Sequence, residues 1–164
     1  MPQVVTFSLF RFDSLHARLW AFAMMGLARA PLRRTPGIGF WKLCGSGSGE
    51  GFTPVPNTGV YAILATWPDA ATARDRINTA PIYCRYRKRA AAHWTVFMQA
   101  TSARGNWSGQ TPFDVSDDRG HGPLAALTRA TIRPGILRRF WGRVPDISAA
   151  IGSDANVLFK IGIG

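Results

Sequence analysis

Apolar and polar residues alternate in the first segment of the chain. Across residues 4–12, Val5 and Leu9 fall on one side of an extended backbone, while Thr6 and Ser8 fall on the other. A repeat of two residues is the pattern of a β-strand, and the β-branched and aromatic composition of the segment agrees with it. We therefore predict a strand here.

A helix is predicted to follow this strand. Residues 14–30 are apolar around most of the helical circumference, Ser14 can cap the first turn, and Pro31 marks the predicted end. The same patterns predict strands over 38–44, 60–67 and 94–101, and helices over 70–78 and 82–92. The order is that of the ferredoxin-like split βαβ unit of the dimeric α/β-barrel type, in which helices cover one face of an antiparallel sheet. The predicted fold class is α+β.

The C-terminal part of the chain repeats this pattern incompletely. Residues 102–123 have no periodicity and are predicted to be a linker, because so long a loop is unusual inside a compact domain. After it we predict a strand over 125–133, a helix over 135–151 and a strand over 156–164. The expected organisation is a ferredoxin-like unit over 1–101, the linker, and part of a second unit over 124–164. Because the second pattern stops midway, we expect a C-terminally truncated chain that is inactive alone.

Composition and charge limit the class of protein. The chain has 164 residues and is 46% hydrophobic and 18% charged, which excludes a disordered tail. Twenty Lys and Arg residues against nine Asp and Glu residues give a formal net charge of +11. Such a charge attracts nucleic acid, anionic lipid or an acidic protein, although a GC-rich genome also raises the Arg content.

Cysteine usage and the N-terminal residues indicate the compartment. Cys44 and Cys84 form neither a C-x-x-C pair nor a disulfide framework, which suits a reducing cytosol. The first ten residues lack the basic region that precedes the apolar run of a secretory signal. We expect a cytoplasmic protein, with peripheral contact to a membrane allowed by its charge.

Four segments of the chain resemble the spheroidene monooxygenase family, the acyclic carotenoid 2-ketolases of purple photosynthetic bacteria. The two most specific are TPGIGFWKLCGSGSGEGFTPVPNTGVYAILATWPD and LAALTRATIRPGILRRFWGRVPDISAAIGSDANVLFKIGIG. VTFSLFRFDS with RLWAFAMMGLARAPL, and HWTVFMQATSARGNWSGQTPF, support them. The family chain extends well beyond Gly164, which agrees with the truncation expected from the incomplete repeat.

The resemblance implies an oxygenase. It would install a 2-keto group on acyclic carotenoids such as spheroidene, using dioxygen, electrons from reduced ferredoxin and a haem cofactor. A cofactor is chemically reasonable, because oxidising an unactivated carbon requires an oxidant that no protein side chain provides.

Aromatic residues are candidates for the wall of a substrate pocket. Phe40, Trp41 and Trp94 are predicted to lie nearest a flat, apolar ligand, and Trp107 is predicted to lie beside the cofactor. Ordinary core packing is the alternative for each of them.

Candidates for haem binding are few. His93, just before the fourth predicted strand, is the best placed histidine for an axial ligand, although such a histidine is more often structural. Cys44 is a second candidate, but the pattern that precedes the ligand in cysteine-ligated oxygenases is absent. We expect the axial ligand to lie in the missing part. Arg104 could bind a haem propionate as a bidentate donor.

Two basic clusters suggest a docking surface: Arg85, Arg87, Lys88 and Arg89 beside Tyr83 and Tyr86, and Arg138, Arg139 and Arg143. Interleaved basic and aromatic residues are typical of nucleic-acid surfaces. The same charges would attract an acidic ferredoxin or anionic lipid, and the family resemblance favours these partners.

Two alternatives remain open. One is a non-catalytic basic module with this fold that binds nucleic acid. The other is an α/β-barrel monooxygenase that needs no cofactor.

Overall fold

The structure is a computed structural model that describes residues 2–48, 55–118, 120, 122–129, 135, 142, 150–151 and 153–164. It divides into two compact units. Unit 1 comprises Met1–Cys44 and Gly59–Pro123, and unit 2 comprises Gly45–Thr58 and Leu124–Gly164.

Four strands and four helices are described: β1 (Val4–Arg11), α1 (Leu15–Leu27), α2 (Arg29–Arg33), β2 (Trp41–Gly47), β3 (Pro56–Trp67), α3 (Ala70–Thr79), α4 (Pro81–Arg89) and β4 (Ala92–Met98). The strands form one sheet in the order β2-β3-β1-β4, and β1 pairs antiparallel with both β3 and β4. This order, with helices after β1 and β3, is the ferredoxin-like arrangement. The predicted α+β fold class is confirmed.

The helices begin where the sequence offers capping groups. Ser14 Oγ accepts a hydrogen bond from Ala17 N at the start of α1. Asp69 accepts from Thr72 N and Thr72 Oγ1 at the start of α3, and these bonds hold the pKa of Asp69 below its usual value.

The first helical region differs from its prediction at Pro31. Helix α1 ends at Leu27, and Pro31 lies inside α2 instead of terminating the helix. Pro31 is the third residue of α2, so it occupies the first turn, where the amide hydrogen it lacks has no intrahelical acceptor. The prediction was wrong because a proline is tolerated in a first turn.

All the core-forming helices pack on one face of the sheet, which we call the helix-covered face. In the β1–β3 register, Val4 lies opposite Trp67 and Phe10 lies opposite Tyr61. These side chains form one core cluster with buried helix residues, including Ala21, Met24, Ile77, Ile82, Tyr83 and Tyr86. Val5 and Leu9 therefore lie on the other side of the sheet, which we call the opposite face.

In the alternating apolar and polar pattern of β1, the polar residues lie on the helix-covered face. Thr6 and Ser8 are completely buried beneath the helices. Trp67 Nε1 donates a hydrogen bond of 2.8 Å to Thr6 Oγ1, and Thr95 Oγ1 donates one of 2.9 Å to Ser8 Oγ. Both hydroxyls are thus paired, which removes the cost of burying them.

The predicted linker belongs to unit 1. Residues 102–123 lie within that unit. Ser116 N donates to Ala100 O at 2.8 Å, and Asp114 N donates to Gln3 Oε1 at 3.0 Å. A segment without periodicity is thus held within unit 1 by individual backbone hydrogen bonds, and the division into a first unit, a linker and a second unit stays a prediction.

Unit 2 contains the tip of the β2–β3 hairpin and the C-terminal segment. Gly45 N donates to Gly164 O at 2.8 Å, Gly47 N donates to Gly162 O at 3.1 Å, and Ser46 forms a bridge with Ile163. No strand covers 156–164, contrary to prediction, because pairing is limited to this bridge and its neighbours.

Other C-terminal predictions are partly or wholly outside the described residues. Residues 125–129 form no strand, and 130–133 are not described. Most of the predicted helix over 135–151 is not described either, and it contains Arg138, Arg139 and Arg143. A second ferredoxin-like unit stays a prediction. Among the described helices, none is long and apolar enough to cross a membrane.

Thr6→Val should destabilise the protein by about 1–3 kcal/mol, because the buried indole N–H of Trp67 loses its acceptor while side-chain volume is kept. Urea unfolding followed by tryptophan fluorescence would measure the change. Thr111→Val, at an exposed position, is the matched control and should alter the unfolding free energy little. Equal stability of Thr6→Val and the parent would contradict the role of this bond.

Candidate functional site

Three aromatic side chains meet beside the β2 edge of the sheet. The ring centroid of Phe40 lies 5.4 Å from that of Trp107 and 6.4 Å from that of Phe113. The interplanar angles, 59° and 72°, are those of tilted and edge-to-face contacts, which aromatic rings prefer. We call Phe40, Trp107 and Phe113 the aromatic cluster.

Thr66 holds the backbone of Phe40 against β3. Phe40 N donates to Thr66 Oγ1 at 2.8 Å, and Thr66 N donates to Phe40 O at 2.8 Å. The preceding residue is Gly39, whose N–H donates to Thr66 O at 2.9 Å. A Cβ atom on Gly39 would lie 2.6 Å from Thr66 Oγ1, so only glycine allows this close approach.

A tight turn carries Trp107 to the cluster. Trp107 and Gln110 exchange backbone hydrogen bonds of 2.8 and 3.2 Å. The two residues between them, Ser108 and Gly109, both have positive φ, 53° and 76°, as a type I′ turn requires. The sequence Trp-Ser-Gly-Gln thus folds back on itself and presents the indole.

Lys42 connects the strand to this turn. Its ammonium nitrogen lies 2.7 Å from Ser108 Oγ and 5.1 Å from the centroid of Phe40. The first contact is a charge-assisted hydrogen bond, and the second is within cation–π distance. Lys42 therefore fixes the turn relative to the cluster and places one positive charge at its edge.

The predicted pocket residues are divided between the two faces of the sheet. Trp41 packs against the core cluster, so it lies on the helix-covered face, away from Phe40. Trp94 lies opposite Leu9 in the β1–β4 register, so it is on the opposite face, and it is 52% exposed. The structure brings Phe40 and Trp107 together and separates Trp41 from them.

The two proposed haem contacts are both exposed. His93 lies opposite Phe10 in the register and is exposed on the edge strand β4, on the helix-covered side. Arg104 is exposed in the segment before the Trp107 turn, and no hydrogen bond or ion pair with another described residue is found for it. His93 therefore lies on the other side of the sheet from Phe40, and the role of Arg104 stays a prediction.

Cys44 is held in its neutral form. Trp41 and Leu43 face the helices, so Cys44 faces the opposite side of the sheet, where it is buried. Burial raises the pKa of its thiol to about 11, and the positive charge of Lys42 offsets this only in part. Iron binds the thiolate form of cysteine, so the Cys44 thiol would have to lose its proton before it could act as a ligand.

Haem requires one axial ligand, and neither sequence candidate, Cys44 or His93, offers one beside the aromatic cluster. No group of three or more His, Cys, Asp or Glu side chains that could hold a metal is found in the described part of the chain. Cys44 is neutral and buried, and His93 is on the other side of the sheet. The expectation that the ligand lies elsewhere stays a prediction.

The basic cluster on α4 differs from a nucleic-acid surface. Tyr83 and Tyr86 are buried in the core, where burial raises the pKa of both hydroxyls, so neither ring can stack on a base. Arg87 is also occupied, because it donates to Ile77 O and Asn78 O at the end of α3. A helix turns successive residues towards different sides, so interleaving in the sequence does not place these rings beside the charges.

Sequence reasoning did not identify Phe113, Lys42 or Thr66 as residues of this site. For Phe113 the sequence did offer a signal. It is an aromatic residue that follows the Trp-Ser-Gly turn sequence within a few positions, directly after a proline. Lys42 and Thr66 carried no such signal. Thr66 contacts Phe40, and Lys42 contacts Ser108, across separations in sequence that only the folded structure closes.

The chain is similar in sequence to proteins named spheroidene monooxygenase. It is 47% identical over 166 residues to the protein of Cereibacter sphaeroides, covering 99% of this chain and 50% of the relative. It is 47% identical over 167 residues to that of Rhodobacter capsulatus, covering 100% of this chain and 69% of the relative. A third, from Rubrivivax gelatinosus, is 32% identical over 148 residues. The chain thus spans about half to two thirds of the length of these relatives.

Two solved structures illustrate what the chain is similar to in structure. One is a cofactor-independent oxygenase from Streptomyces nogalater, at 13% identity and a TM-score of 0.44, covering 63% of this chain and 97% of that one. Another is a dimeric ferredoxin-like protein of unknown function from Jannaschia, at 14% identity and a TM-score of 0.43, covering 60% and 99%. No protein-family model matches the sequence.

Gly39→Ala should lower the free energy of unfolding by about 1–3 kcal/mol, because the new Cβ atom overlaps Thr66 Oγ1 and must displace the chain at Phe40. Gly26→Ala is the matched control: its Cβ atom meets nothing within 4 Å on α1, so stability should rise by about 0.5–1 kcal/mol. Denaturant unfolding of both variants measures the difference. Two changes of the same sign and size would contradict the close approach at Gly39.

Proposed function

Because the chain belongs to the spheroidene monooxygenase family, we propose that it forms part of an oxygenase that introduces a 2-keto group into acyclic carotenoids. The family assignment rests on identity along the whole chain. The substrate, the cofactor and the electron donor are proposed here for this chain.

The aromatic cluster is the observation that carries the proposal. An acyclic carotenoid is a long, flat, apolar polyene that offers few polar groups for recognition. Phe40, Trp107 and Phe113 present a set of rigid aromatic surfaces, which gain dispersion contact with such a molecule at small cost in side-chain entropy.

The residues around the cluster would position the substrate. Thr66 and Gly39 hold the Phe40 backbone on β3, so the ring of Phe40 forms a fixed wall. Lys42 holds the turn that carries Trp107. Together they would exclude water from one side of the polyene, and the charge of Lys42 would lie at the polar rim of the site.

Haem is the proposed source of the oxidant, on the strength of the family resemblance, and when bound it would activate dioxygen. Arg104 is the proposed donor to a propionate, and Trp107 is the proposed neighbour of the macrocycle. The axial ligand would be a residue other than those described beside the cluster.

Reduced ferredoxin is the proposed electron donor, and α4 offers a surface for it. Arg85 and Lys88 are exposed on this helix, and its last turn has three basic residues and no acidic one. Their positive charge would attract an acidic redox protein and raise its association rate. The buried positions of Tyr83 and Tyr86 make nucleic acid a poorer partner for the same helix.

Trp107→Ala should weaken carotenoid binding about tenfold, because an aromatic wall of the cluster is lost. The assay mixes purified chain with a detergent-solubilised acyclic carotenoid and measures polyene absorbance that co-elutes with protein in gel filtration. Trp107→Phe, which keeps an aromatic ring, should retain most of the binding.

Val115→Ala is the matched control in the same segment, since Val115 is exposed and lies outside the cluster. It should bind like the parent. Equal binding by Trp107→Ala and the parent would remove the cluster from the substrate site. In pigment-producing cells, a product that has gained one oxygen and lost two hydrogens would show the ketolase reaction itself.

Arg104→Ala should weaken haem retention several-fold, because one cationic donor to a propionate is lost. Hemin titration followed by the Soret band would measure it, with Arg33→Ala, on α2, as the control. His93→Ala should leave the Soret band unchanged, because His93 lies away from the cluster. A chain without a Soret band that still oxygenates a carotenoid without added iron would favour a reaction that needs no cofactor.

A further inference from the structure

Helix α1 carries large apolar side chains on its solvent side. Leu15, Leu19, Phe22 and Leu27 are 69%, 60%, 68% and 68% exposed, respectively. Single exposed leucines are normal on protein surfaces, but four large ones within a helix of 13 residues are not scattered.

The spacing of these residues places most of them together. Leu15, Leu19 and Phe22 follow each other at intervals of four and three residues, so they form one stripe along the helix. The buried residues of α1, Ala21 and Met24, lie on its other side, against the sheet. The helix therefore has two apolar sides, of which the core covers one.

The charges on α1 and α2 beside this stripe are all positive, and the acidic residue just before them, Asp13, forms an ion pair with Arg11 at 3.2 Å. Residues 14–34 contain four arginines and no Asp or Glu. Arg18 and Arg29 are exposed, and each donates through Nε to a backbone carbonyl, of Phe12 and Met25 respectively. Arg33 is exposed in the last turn of α2. We call the exposed apolar stripe and these flanking arginines the α1 surface.

We propose that the α1 surface binds the face of an anionic lipid bilayer, with the apolar side chains inserted between the lipids and the arginines at the phosphate groups. An interfacial helix is recognised by an apolar side and a polar side rich in basic residues, whatever its length. Helix α1, with 13 residues, is about 20 Å long if it lies in the plane of the membrane.

Charge complementarity favours an anionic bilayer over a second copy of the chain as the partner of the α1 surface. Two α1 surfaces brought together would place the arginines of one copy near those of the other, without acidic residues from 14–34 to pair with them. Like charges across an interface oppose association. A bilayer containing anionic lipid satisfies the apolar stripe and the arginines together, since each basic residue near such a surface strengthens binding.

The location differs from the one expected from sequence, where membrane contact was assigned to the basic clusters of 85–89 and 138–143. The α1 surface combines charge with exposed apolar area, which α4 does not offer, because its aromatic residues are buried. Binding through α1 rests on exposure and charge alone and does not depend on the oxygenase assignment.

Flotation with vesicles tests the proposal. The 164-residue chain is mixed with phosphatidylcholine vesicles that contain about a quarter phosphatidylglycerol, and with vesicles of phosphatidylcholine alone, before centrifugation in a density gradient. We expect the chain to float with the anionic vesicles, less with the neutral ones, and less at high salt, which screens the arginines. Failure to float with anionic vesicles at low salt would overturn the proposal.

Three double variants test whether α1 is the part of the chain that binds the vesicles. Leu19→Gln combined with Phe22→Gln should lower the partition into anionic vesicles at least about tenfold, because two inserted side chains are lost. Arg29→Gln combined with Arg33→Gln should lower it about tenfold with anionic vesicles and little with neutral ones. Leu124→Gln with Leu158→Gln, two leucines 87% and 84% exposed elsewhere, is the matched control and should float like the parent.

Two results would assign the α1 surface differently. If the glutamine variant of Leu19 and Phe22 floats like the parent, α1 does not contact the membrane. If the parent forms a concentration-dependent dimer that this variant abolishes, the surface is covered by a second copy, and the lipid proposal is wrong. Circular dichroism and urea unfolding should be unchanged in every variant, because all of these side chains are exposed.

Discussion

The register of β1 against β3 decides which side chains reach each face of the sheet. Pairing Thr6 with Ala65 puts Thr6 beneath the helices, where its hydroxyl accepts from the Trp67 indole. The same register puts Thr66 on the opposite face, where its hydroxyl accepts from Phe40 N. A slip of β1 by one residue would move Thr6 to the opposite face and leave the Trp67 indole without its acceptor. Core packing and the aromatic cluster thus depend on one alignment of two central strands.

Local sequence patterns predicted most of the elements of the ferredoxin-like unit, because its strands and helices have clear periods and caps. Asp69 before α3 and Pro81 at the start of α4 are examples of signals that act within one turn. The differences concern features without a period. Pro31 was read as a helix terminus although it lies in a first turn, and residues 102–123, predicted to be a linker, are held to unit 1 by single hydrogen bonds.

The candidate site was predicted in part. Phe40 and Trp107 were both identified as aromatic candidates, and the structure places their rings in contact. Trp41 was grouped with Phe40 because it is adjacent in sequence, yet successive residues of an extended chain point to opposite faces. The partners that hold the site, Lys42 and Thr66, act across large separations in sequence, to Ser108 and to Phe40. No periodic pattern contains such contacts.

The aromatic cluster and the α1 surface lie on opposite sides of the same sheet, and this limits how a membrane-bound substrate could reach the cluster. If α1 lies on a bilayer, one helix layer, about 10–12 Å thick, and the sheet separate the cluster from the lipid. A carotenoid drawn from that bilayer, the substrate proposed above, would therefore have to pass around a sheet edge to contact Phe40. The β2 edge is the shorter route, because the aromatic cluster already lies beside it.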